Sequence, residues 1–243
     1  VCRTAGMEVT LVEAAPRILG RVAAPETADR IRELHTARGV TIREGTGLER
    51  LTGDARVTGA VLSDGTEIAA DLVIVGIGIT PATALAEAAG LEIENGIRAD
   101  ALGRTSDPAI WTAGDCASFP WRGGRIRLES VQNAIDQAEA VARNMLGAEA
   151  PYDPTPWFWS DQYDMKLQIA GLNAGYDRVV VRPGATGASA SHWYYAGERL
   201  LAVDALNAPR DYMVGKRLIG AGRSPDPAAL ADPATDLKAL LAG

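Results

Sequence analysis

The sequence predicts an α/β fold with an additional α+β module at its C-terminal end. Two observations lead to this prediction. In residues 1–149, apolar strands alternate with helical patterns, which is typical of strand–helix–strand units built around a parallel sheet. From Pro151 onward, aromatic residues become more frequent and several runs alternate with a period of two, which is typical of an antiparallel sheet.

The first segment, residues 1–80, contains five predicted elements. A short β-rich run at residues 8–13 ends in a carboxylate, and residues 25–39 have helical spacing with a glycine as the stop signal. A second strand is predicted at residues 40–43, and an Asp-Gly turn predicts a hairpin over residues 57–68. The apolar run at residues 71–78 is predicted to be a continuous strand buried on both faces of a parallel sheet.

The second segment, residues 81–149, predicts a short helix at residues 81–90, another buried strand at residues 109–115 and an amphipathic helix at residues 130–146. The third segment, residues 150–243, opens with the aromatic run PWFWSDQY. Period-two strands are then predicted at residues 166–170, 178–181, 192–195 and 199–203, followed by helical pieces at residues 208–219 and 237–241.

Composition excludes several classes of partner and site. The chain has 24 Lys and Arg residues against 31 Asp and Glu residues, a formal charge of −7. This acidic balance, without a long basic block, argues against nucleic acid or an anionic membrane as the main partner. The longest apolar run is far shorter than the roughly 18 residues of a membrane-spanning helix. Two cysteines without CxxC spacing and two histidines predict no metal site and favour a reducing cytoplasm.

The first residues resemble the last turn of a helix. The chain begins at Val1 rather than Met, and Gly6 follows the run VCRTA as a helix stop would. We therefore expect the chain to be a fragment or the product of a truncated reading frame.

The N-terminal segment carries three candidate nucleotide-binding features. Glu13 ends a strand, where a carboxylate can accept hydrogen bonds from both ribose hydroxyls of an adenosine and repel a 2′-phosphate; an exposed strand-end carboxylate explains it equally well. Arg17 and Arg21 follow in one loop and can bind pyrophosphate or be solvated. Gly76-Ile77-Gly78 follows the predicted strand, where the absence of Cβ atoms allows a flat ring to approach, although turn glycines are common there.

The second and third segments carry more specific candidate residues for cofactor binding. Gly114-Asp115 is predicted at the carboxyl end of a buried strand, where open α/β sheets bind ligands and where a carboxylate can accept a hydrogen bond from a polyol such as ribityl. Ser130 is a plausible N-cap of the long helix, whose N-terminus can stabilise negative charge on a flavin. The three rings from Trp157 to Trp159 indicate core or interface packing, or contact with a planar cofactor.

Five stretches occur in the chain in this order: VTLVEAAPRIL, LVIVGIGITP, TSDPAIWTAGDCA, LESVQNA and PWFWSDQY. Together they resemble the FAD-dependent, NADH-using ferredoxin reductases of the putidaredoxin-reductase and rhodocoxin-reductase type. The Gly-Asp block is shared by many flavoproteins with two dinucleotide sites, whereas the aromatic run and the sheet after it are more specific to these reductases. The first FAD half and both glycine-rich loops of that family lie outside the sequence.

The resemblance implies a two-dinucleotide-binding, Rossmann-like flavoprotein fold, here incomplete, with a C-terminal reductase domain. It implies that Asp115, beside Gly114, bonds the FAD ribityl chain, that the Ser130–Val131 backbone faces the isoalloxazine, and that Trp159 packs beside it. It further implies NAD contacts from one set of residues near the adenosine and another near the nicotinamide. These are Glu13 and Arg21 for the adenosine half, and Gly76, Ile77, Gly78 and Glu129 near the nicotinamide.

The activity implied is electron transfer from NADH through FAD to a [2Fe–2S] ferredoxin that serves a cytochrome P450 or a ring-hydroxylating dioxygenase. No residue is predicted to act as a general acid, base or nucleophile, because the cofactors carry the chemistry. Another acceptor (rubredoxin, oxygen or a quinone) stays open, as does a non-catalytic fragment or a protein like apoptosis-inducing factor. Two basic clusters are the predicted ferredoxin-docking groups: Arg122, Arg125 and Arg127, and Arg210, Lys216 and Arg217.

Overall fold

A computed structural model describes residues 1–241 and divides them among four sheets and the helices that connect them. The strands of the first 149 residues are β1 (Val9–Glu13), β2 (Val40–Glu44), β3 (Leu48–Thr52), β4 (Gly59–Leu62), β5 (Glu67–Ala69), β6 (Ile93–Glu94), β7 (Gly96–Arg98), β8 (Ala117–Trp121) and β9 (Gly124–Ile126). The C-terminal strands are β10 (Trp157–Gln162), β11 (Met165–Gly171), β12 (Arg178–Pro183), β13 (Ala190–Ala196) and β14 (Arg199–Leu206). The helices are α1 (Pro25–Ala37), α2 (Ala84–Ala88), α3 (Val131–Met145), α4 (Pro209–Gly220) and α5 (Pro227–Ala231), followed by a 3-10 turn at Ala239–Leu241.

The predicted strand–helix–strand unit at the start of the chain is confirmed. β1 and β2 pair in parallel from Val9 opposite Val40 to Glu13 opposite Glu44, and α1 connects them. Proline at the first position of α1 fits a helix start, and Gly39 has the positive φ of 81° expected after a helix end. The predicted Asp-Gly hairpin is also confirmed as the β4–β5 pair.

The prediction of a buried strand at residues 71–78 is wrong. The segment from Leu72 to Ile79 lies outside every strand formed by residues 1–241, and five of its six large apolar side chains are exposed, from 60% for Val75 to 89% for Ile77. An apolar run becomes a buried strand only where neighbouring strands accept its backbone hydrogen bonds and cover its faces. The parallel sheet described here consists of β1 and β2, so the run is left without that pairing.

The second segment contains a four-stranded sheet in the order β6–β7–β8–β9, and α3 follows it in the chain. The predicted strand at residues 109–115 is wrong: this stretch is a loop with one isolated bridge, Trp111 to Arg104, and the strand begins only at Ala117. The turn around Asp107 explains the difference, because Thr105 Oγ1 accepts the Asp107 N–H and donates to the Ile110 carbonyl. The predicted helices are confirmed as α2 and α3.

The C-terminal domain is a five-stranded antiparallel sheet in the order β10–β11–β14–β13–β12, as predicted from the period-two runs. Helix α4 packs on one face of it, and the core there is built around the fully buried Trp193, Val203 and Leu218. Gly215 permits the close approach of α4, because a Cβ at that position would lie 2.4 Å from Val203 Cγ1. This domain therefore has its own hydrophobic core.

Candidate functional site

The N-terminus of α3 meets the loop that carries Gly114. Gly114 is buried with a φ of 80°, and its N–H donates to Gln137 Oε1 at 2.8 Å. A Cβ on Gly114 would lie 3.6 Å from the Cβ of Ala134, so the loop runs against the first turn of the helix. Ser130 caps that turn, since its Oγ accepts the Asn133 N–H at 3.1 Å. The helix N-terminus, with its positive dipole end, thus lies beside the Gly114 loop.

Arg127 joins this loop to the residues before α3. Its guanidinium donates to the Asp115 carbonyl at 3.1 Å and forms an ion pair with Glu129. The Arg127 side chain is only 10% exposed, whereas the Asp115 carboxylate lies at the surface. The structure therefore brings Gly114, Asp115, Glu129 and Ser130 together at one end of α3, with the Asp115 side chain accessible to a ligand.

Trp159 stands at the exposed end of an aromatic stack. It is 48% exposed, and its ring lies 5.6 Å from that of Trp157 at 34°. Lys216 Nζ lies 4.4 Å from the centroid of the Trp157 ring, and Tyr212 packs behind it. Burial lowers the pKa of Lys216, and the charge of Asp136 partly offsets that effect. Val131, at the start of α3, is also exposed, which leaves apolar surface for a planar group at both positions.

The predicted NAD residues belong to three stretches of the described chain: the loop after β1, the unpaired segment at residues 76–78 and the residues just before α3. The Glu13 carboxylate accepts the Ala15 N–H at 2.8 Å and so closes the turn after β1, while Arg21 is exposed in the following loop. Gly76, Ile77 and Gly78 are exposed in the unpaired segment, and no hydrogen bond or ion pair among residues 1–241 joins them to Glu13 or Arg21.

The structure separates the five arginines among the six predicted docking residues into ion-paired and accessible groups, while Lys216 lies over the Trp157 ring. Arg125 donates hydrogen bonds to the carbonyls of Ala99 and Ser118 and forms an ion pair with Glu94. Arg127 bonds the Asp115 carbonyl and pairs with Glu129. An ion pair with Asp236 engages Arg210. Arg122 and Arg217 remain exposed, without an ion-pair partner among residues 1–241. Arg122 Nη2 lies 3.4 Å from the Ile219 carbonyl, which places these two arginines at the same end of α4.

Comparison with family models decides the family. The model described as "Pyridine nucleotide-disulphide oxidoreductase" matches residues 1–138, and the model described as "Reductase C-terminal" matches residues 157–241. The chain belongs to the pyridine nucleotide-disulphide oxidoreductase family. The sharp loop at Gly114 and the exposed carboxylate of Asp115 both fall within the segment matched to this family.

Relatives within this oxidoreductase family confirm the resemblance predicted from the sequence. The chain is 47% identical over 238 residues to a ferredoxin–NAD(P)(+) reductase of Sphingomonas sp, covering 96% of this chain and 57% of that protein. It is 41% identical to putidaredoxin reductase of Pseudomonas putida, covering 98% and 58% of the two chains, and 41% identical to rhodocoxin reductase of Rhodococcus erythropolis, covering 99% and 57%. The chain thus spans somewhat more than half the length of these relatives.

Solved structures of related oxidoreductases confirm the fold class. The ferredoxin reductase for the CYP199A2 system of Rhodopseudomonas palustris superimposes with a TM-score of 0.94 at 42% identity, covering 98% of this chain and 59% of that one. A covalent putidaredoxin reductase–putidaredoxin complex gives a TM-score of 0.92 at 41% identity, covering 97% and 58%. The mixed α/β segments and the antiparallel C-terminal sheet therefore have the arrangement of this family.

Sequence reasoning missed three polar residues that support the Gly114 loop, two of them buried and the third, Tyr152, half-buried. Gln137 holds the Gly114 N–H, Asn133 donates to the Leu128 carbonyl at 3.2 Å, and Tyr152 Oη donates to Asn133 Oδ1 at 3.1 Å. Burial, with a smaller effect from Asp136, raises the pKa of Tyr152 to about 12, so it stays a donor. A signal was present, because Asn133 and Gln137 are polar residues at helical spacing on the buried face of α3.

Proposed function

We propose that the reductase containing this chain transfers electrons from NADH through FAD to a [2Fe–2S] ferredoxin that serves a cytochrome P450 or a ring-hydroxylating dioxygenase. The observation that carries this proposal is the extent of the similarity. Identity of 41–47% to ferredoxin reductases covers nearly the whole chain, so it includes the C-terminal domain as well as the nucleotide-binding segments.

The geometry at the start of α3 supports an FAD site formed by Gly114, Asp115, Ser130, Val131 and Trp159. FAD fits these residues for four reasons. The positive-φ glycine lets the backbone approach a ligand closely, and the exposed Asp115 carboxylate can accept a hydrogen bond from a ribityl hydroxyl. The capped helix N-terminus favours negative charge beside it. Exposed apolar surface on Val131 and Trp159 suits a flat ring system.

The NAD site is proposed at Glu13, Arg21, Gly76, Ile77, Gly78 and Glu129. Support comes from the position of Glu13 at the carboxyl end of a parallel strand and from the exposed, Cβ-free backbone at Gly76 and Gly78. We also propose the division of the chain into an NAD-binding part (residues 1–80), an FAD-binding part (residues 81–149) and a C-terminal reductase domain (residues 150–243).

Bound at these residues, FAD would supply the capacity to take up a hydride from NADH and to deliver single electrons to an iron–sulfur acceptor. In this proposal the side chains position and shield the cofactors and move no proton. Arg127 ties the Asp115 loop to Glu129, so that the FAD side and the nicotinamide side of the site share one support. Residues 1–241 contain no cluster of three or more His, Cys, Asp or Glu side chains placed to bind a metal ion.

A comparison of electron acceptors tests the proposed activity. The reductase containing this chain is supplied with NADH, and the reduction of a [2Fe–2S] ferredoxin, a rubredoxin, oxygen and a quinone is measured separately. We expect ferredoxin to give the highest kcat/KM. Faster reduction of another acceptor reassigns the partner, and a protein that binds FAD but reduces none of the four contradicts an enzymatic role.

Substitution of Asp115 tests the proposed FAD site. Because Asp115→Ala removes a charge-assisted hydrogen bond to ribityl, it should weaken FAD binding by roughly 1.5–3 kcal/mol. The flavin content after dialysis is measured spectroscopically. Glu139→Ala, which removes an exposed carboxylate from the second half of α3, is the matched control and should retain FAD. Equal retention by both variants contradicts the assignment.

We also propose a cytoplasmic location. The support is that Cys2 and Cys116 are both free thiols, which suits a reducing compartment. None of the helices formed by residues 1–241 has the length and apolar character needed to cross a bilayer.

A further inference from the structure

Hydrogen bonds from the C-terminal domain hold one end of the loop at residues 14–24, which connects Glu13 to α1. Asn173 Nδ2, in the C-terminal domain, donates to the Val22 carbonyl at 2.9 Å. Two residues later, the Ala24 N–H donates to Tyr194 Oη at 3.0 Å. Ala24 is the N-cap of α1 and makes no side-chain capping bond, so α1 has no local cap there. The C-terminal domain therefore holds the end of this loop.

Tyr194 is itself fixed by a buried polar cluster. Its hydroxyl donates to Asp204 Oδ2, which also accepts a hydrogen bond from Thr27 Oγ1 at 2.7 Å. His192 Nδ1 lies 2.7 Å from the same Thr27 oxygen, and because the Thr27 proton points to Asp204, Nδ1 carries the proton of that bond. All four side chains belong to residues that are at most 1% exposed. The hydroxyl protons of Tyr194 and Thr27 thus both point to Asp204. The Tyr194 oxygen can therefore accept the hydrogen bond from the Ala24 N–H.

Strand register explains why these groups meet. His192 and Tyr194 are two residues apart on β13 and therefore lie on one face, and Asp204 of β14 pairs directly with His192. The intervening Trp193 lies on the opposite face in the core under α4. One face of the sheet is thus built for α4, and the other carries a polar cluster that fits Thr27 and the start of α1.

We propose that Tyr194 and Asn173 are positioning residues for the dinucleotide-binding loop, through which the C-terminal domain sets the affinity of the enzyme for NAD. The inference rests on the proposed function, since the loop carries Arg21 and begins directly after Glu13. A loop fixed at its far end has fewer conformations to lose when the dinucleotide binds. Loss of either contact lowers the fraction of molecules whose loop has the NAD-binding conformation. The apparent affinity for NAD falls by the same factor.

The test is NAD⁺ binding to the oxidised, FAD-bound reductase, measured by calorimetric titration. Asn173→Ala and Tyr194→Phe should each raise the Kd about three- to tenfold. Tyr195→Phe is the matched control, because its hydroxyl donates to the Pro225 carbonyl inside the C-terminal domain at 2.8 Å. It should leave the Kd unchanged. Thr27→Val should weaken binding and Thr27→Ser, which keeps the hydroxyl, should restore it.

Hydrogen exchange provides a readout that does not depend on NAD. Tyr194→Phe should increase exchange at residues 22–30 and leave β13 and β14 protected, whereas Tyr195→Phe should leave residues 22–30 as in the parent. An equal loss of protection in the helix and the sheet, or an equal rise in Kd for both tyrosine variants, overturns the inference because it indicates general destabilisation.

A further pair of variants separates this inference from the proposed NAD site. If Glu13→Ala and Arg21→Ala weaken NAD⁺ binding while Asn173→Ala and Tyr194→Phe do not, the site stands and the positioning role is overturned. If none of the four variants changes the Kd, the loop is not the dinucleotide site, and both proposals fail.

Discussion

Asp204 and His192 are two titratable side chains in one buried cluster, and burial shifts their pKa values in opposite directions. The pKa of the Asp204 carboxyl is raised to about 6 by burial, an effect that the hydrogen bonds from Tyr194 and Thr27 only partly offset. The pKa of His192 is lowered to about 4 by burial and by the charge of Arg30. The raised Asp204 pKa makes the folded state less stable as pH rises to about 6, whereas the lowered His192 pKa makes it more stable as pH rises from about 4.

In the parent protein the two effects on stability partly cancel between about pH 4 and pH 6. Substitution of either residue alone should therefore make stability depend more strongly on pH. Relative to the parent, Asp204→Asn should gain stability between about pH 4 and pH 6, because the Asp204 contribution that falls with pH is removed. His192→Asn should lose stability over the same range relative to the parent. Melting temperatures at a series of pH values measure both trends. Differences that are independent of pH contradict the prediction.

Glu13 is the residue that we expect to determine the preference of the reductase for NADH over NADPH. Its carboxylate already points into the turn after β1, where it accepts the Ala15 N–H. If it also holds ribose hydroxyls, Glu13→Ala should narrow the preference for NADH, because hydrogen bonds and the repulsion of a 2′-phosphate are both lost. The ratio of kcat/KM for the two cofactors is the measurement. Glu8→Ala, just before β1, is the control, and an unchanged ratio in Glu13→Ala counts against the site.

At the scale of elements, the end of α4 is the part of the predicted docking surface that stays accessible. Arg122 and Arg217 are both exposed, and Arg122 donates to the Ile219 carbonyl near the end of α4, while Arg125, Arg127 and Arg210 form ion pairs. Steering by exposed charge acts mainly on the association rate and is screened within about 8 Å at physiological salt. A surface of two exposed arginines therefore suits a transient, salt-sensitive encounter with an acidic ferredoxin.

We expect Arg122→Glu combined with Arg217→Glu to slow ferredoxin reduction at low salt and to spare ferricyanide reduction by NADH. The difference from the parent should shrink as salt is added. Arg56→Glu, in the hairpin between β3 and β4, is an exposed control for the change in charge. Parallel slowing with ferredoxin and ferricyanide would instead place the defect at the flavin or at NADH binding.

Elements defined by local pattern were predictable from the sequence, and elements defined by distant pairing were not. Helix α3 combines an N-cap at Ser130 with buried residues at helical spacing, and β13 has a period-two pattern, so both were predicted. Residues 71–78 have the composition of a buried strand, but strand formation requires a partner that composition does not specify. The contact between Ala24 and Tyr194 joins residues 170 positions apart, and no local sequence pattern predicts it.

At the scale of the whole molecule, the C-terminal domain and the first segment are joined along the length of α1. Besides the Tyr194 cluster, Arg38 forms an ion pair with Asp164 at 2.7 Å and lies over the Tyr163 ring, and Met165 packs against the small core beneath α1. The joined surfaces combine a buried polar cluster with apolar and charged contacts. Glu13 and Arg21, which we propose for NAD binding, and Arg217, which we propose for ferredoxin docking, therefore belong to segments in direct contact.

The exposed segment from Leu72 to Ile79 predicts the behaviour of the 243-residue chain expressed alone. Five large apolar side chains in this segment are at least 60% exposed, and unpaired backbone accompanies them, which together favour edge-to-edge association. We expect the chain to aggregate and to bind FAD poorly, and Ile74→Lys with Ile77→Lys to increase the monodisperse fraction in light scattering. Leu146→Lys, which removes a 90% exposed apolar side chain at the end of α3 and outside this segment, should not. A monodisperse parent chain with stoichiometric FAD contradicts this prediction, because it means that the segment is not available for association.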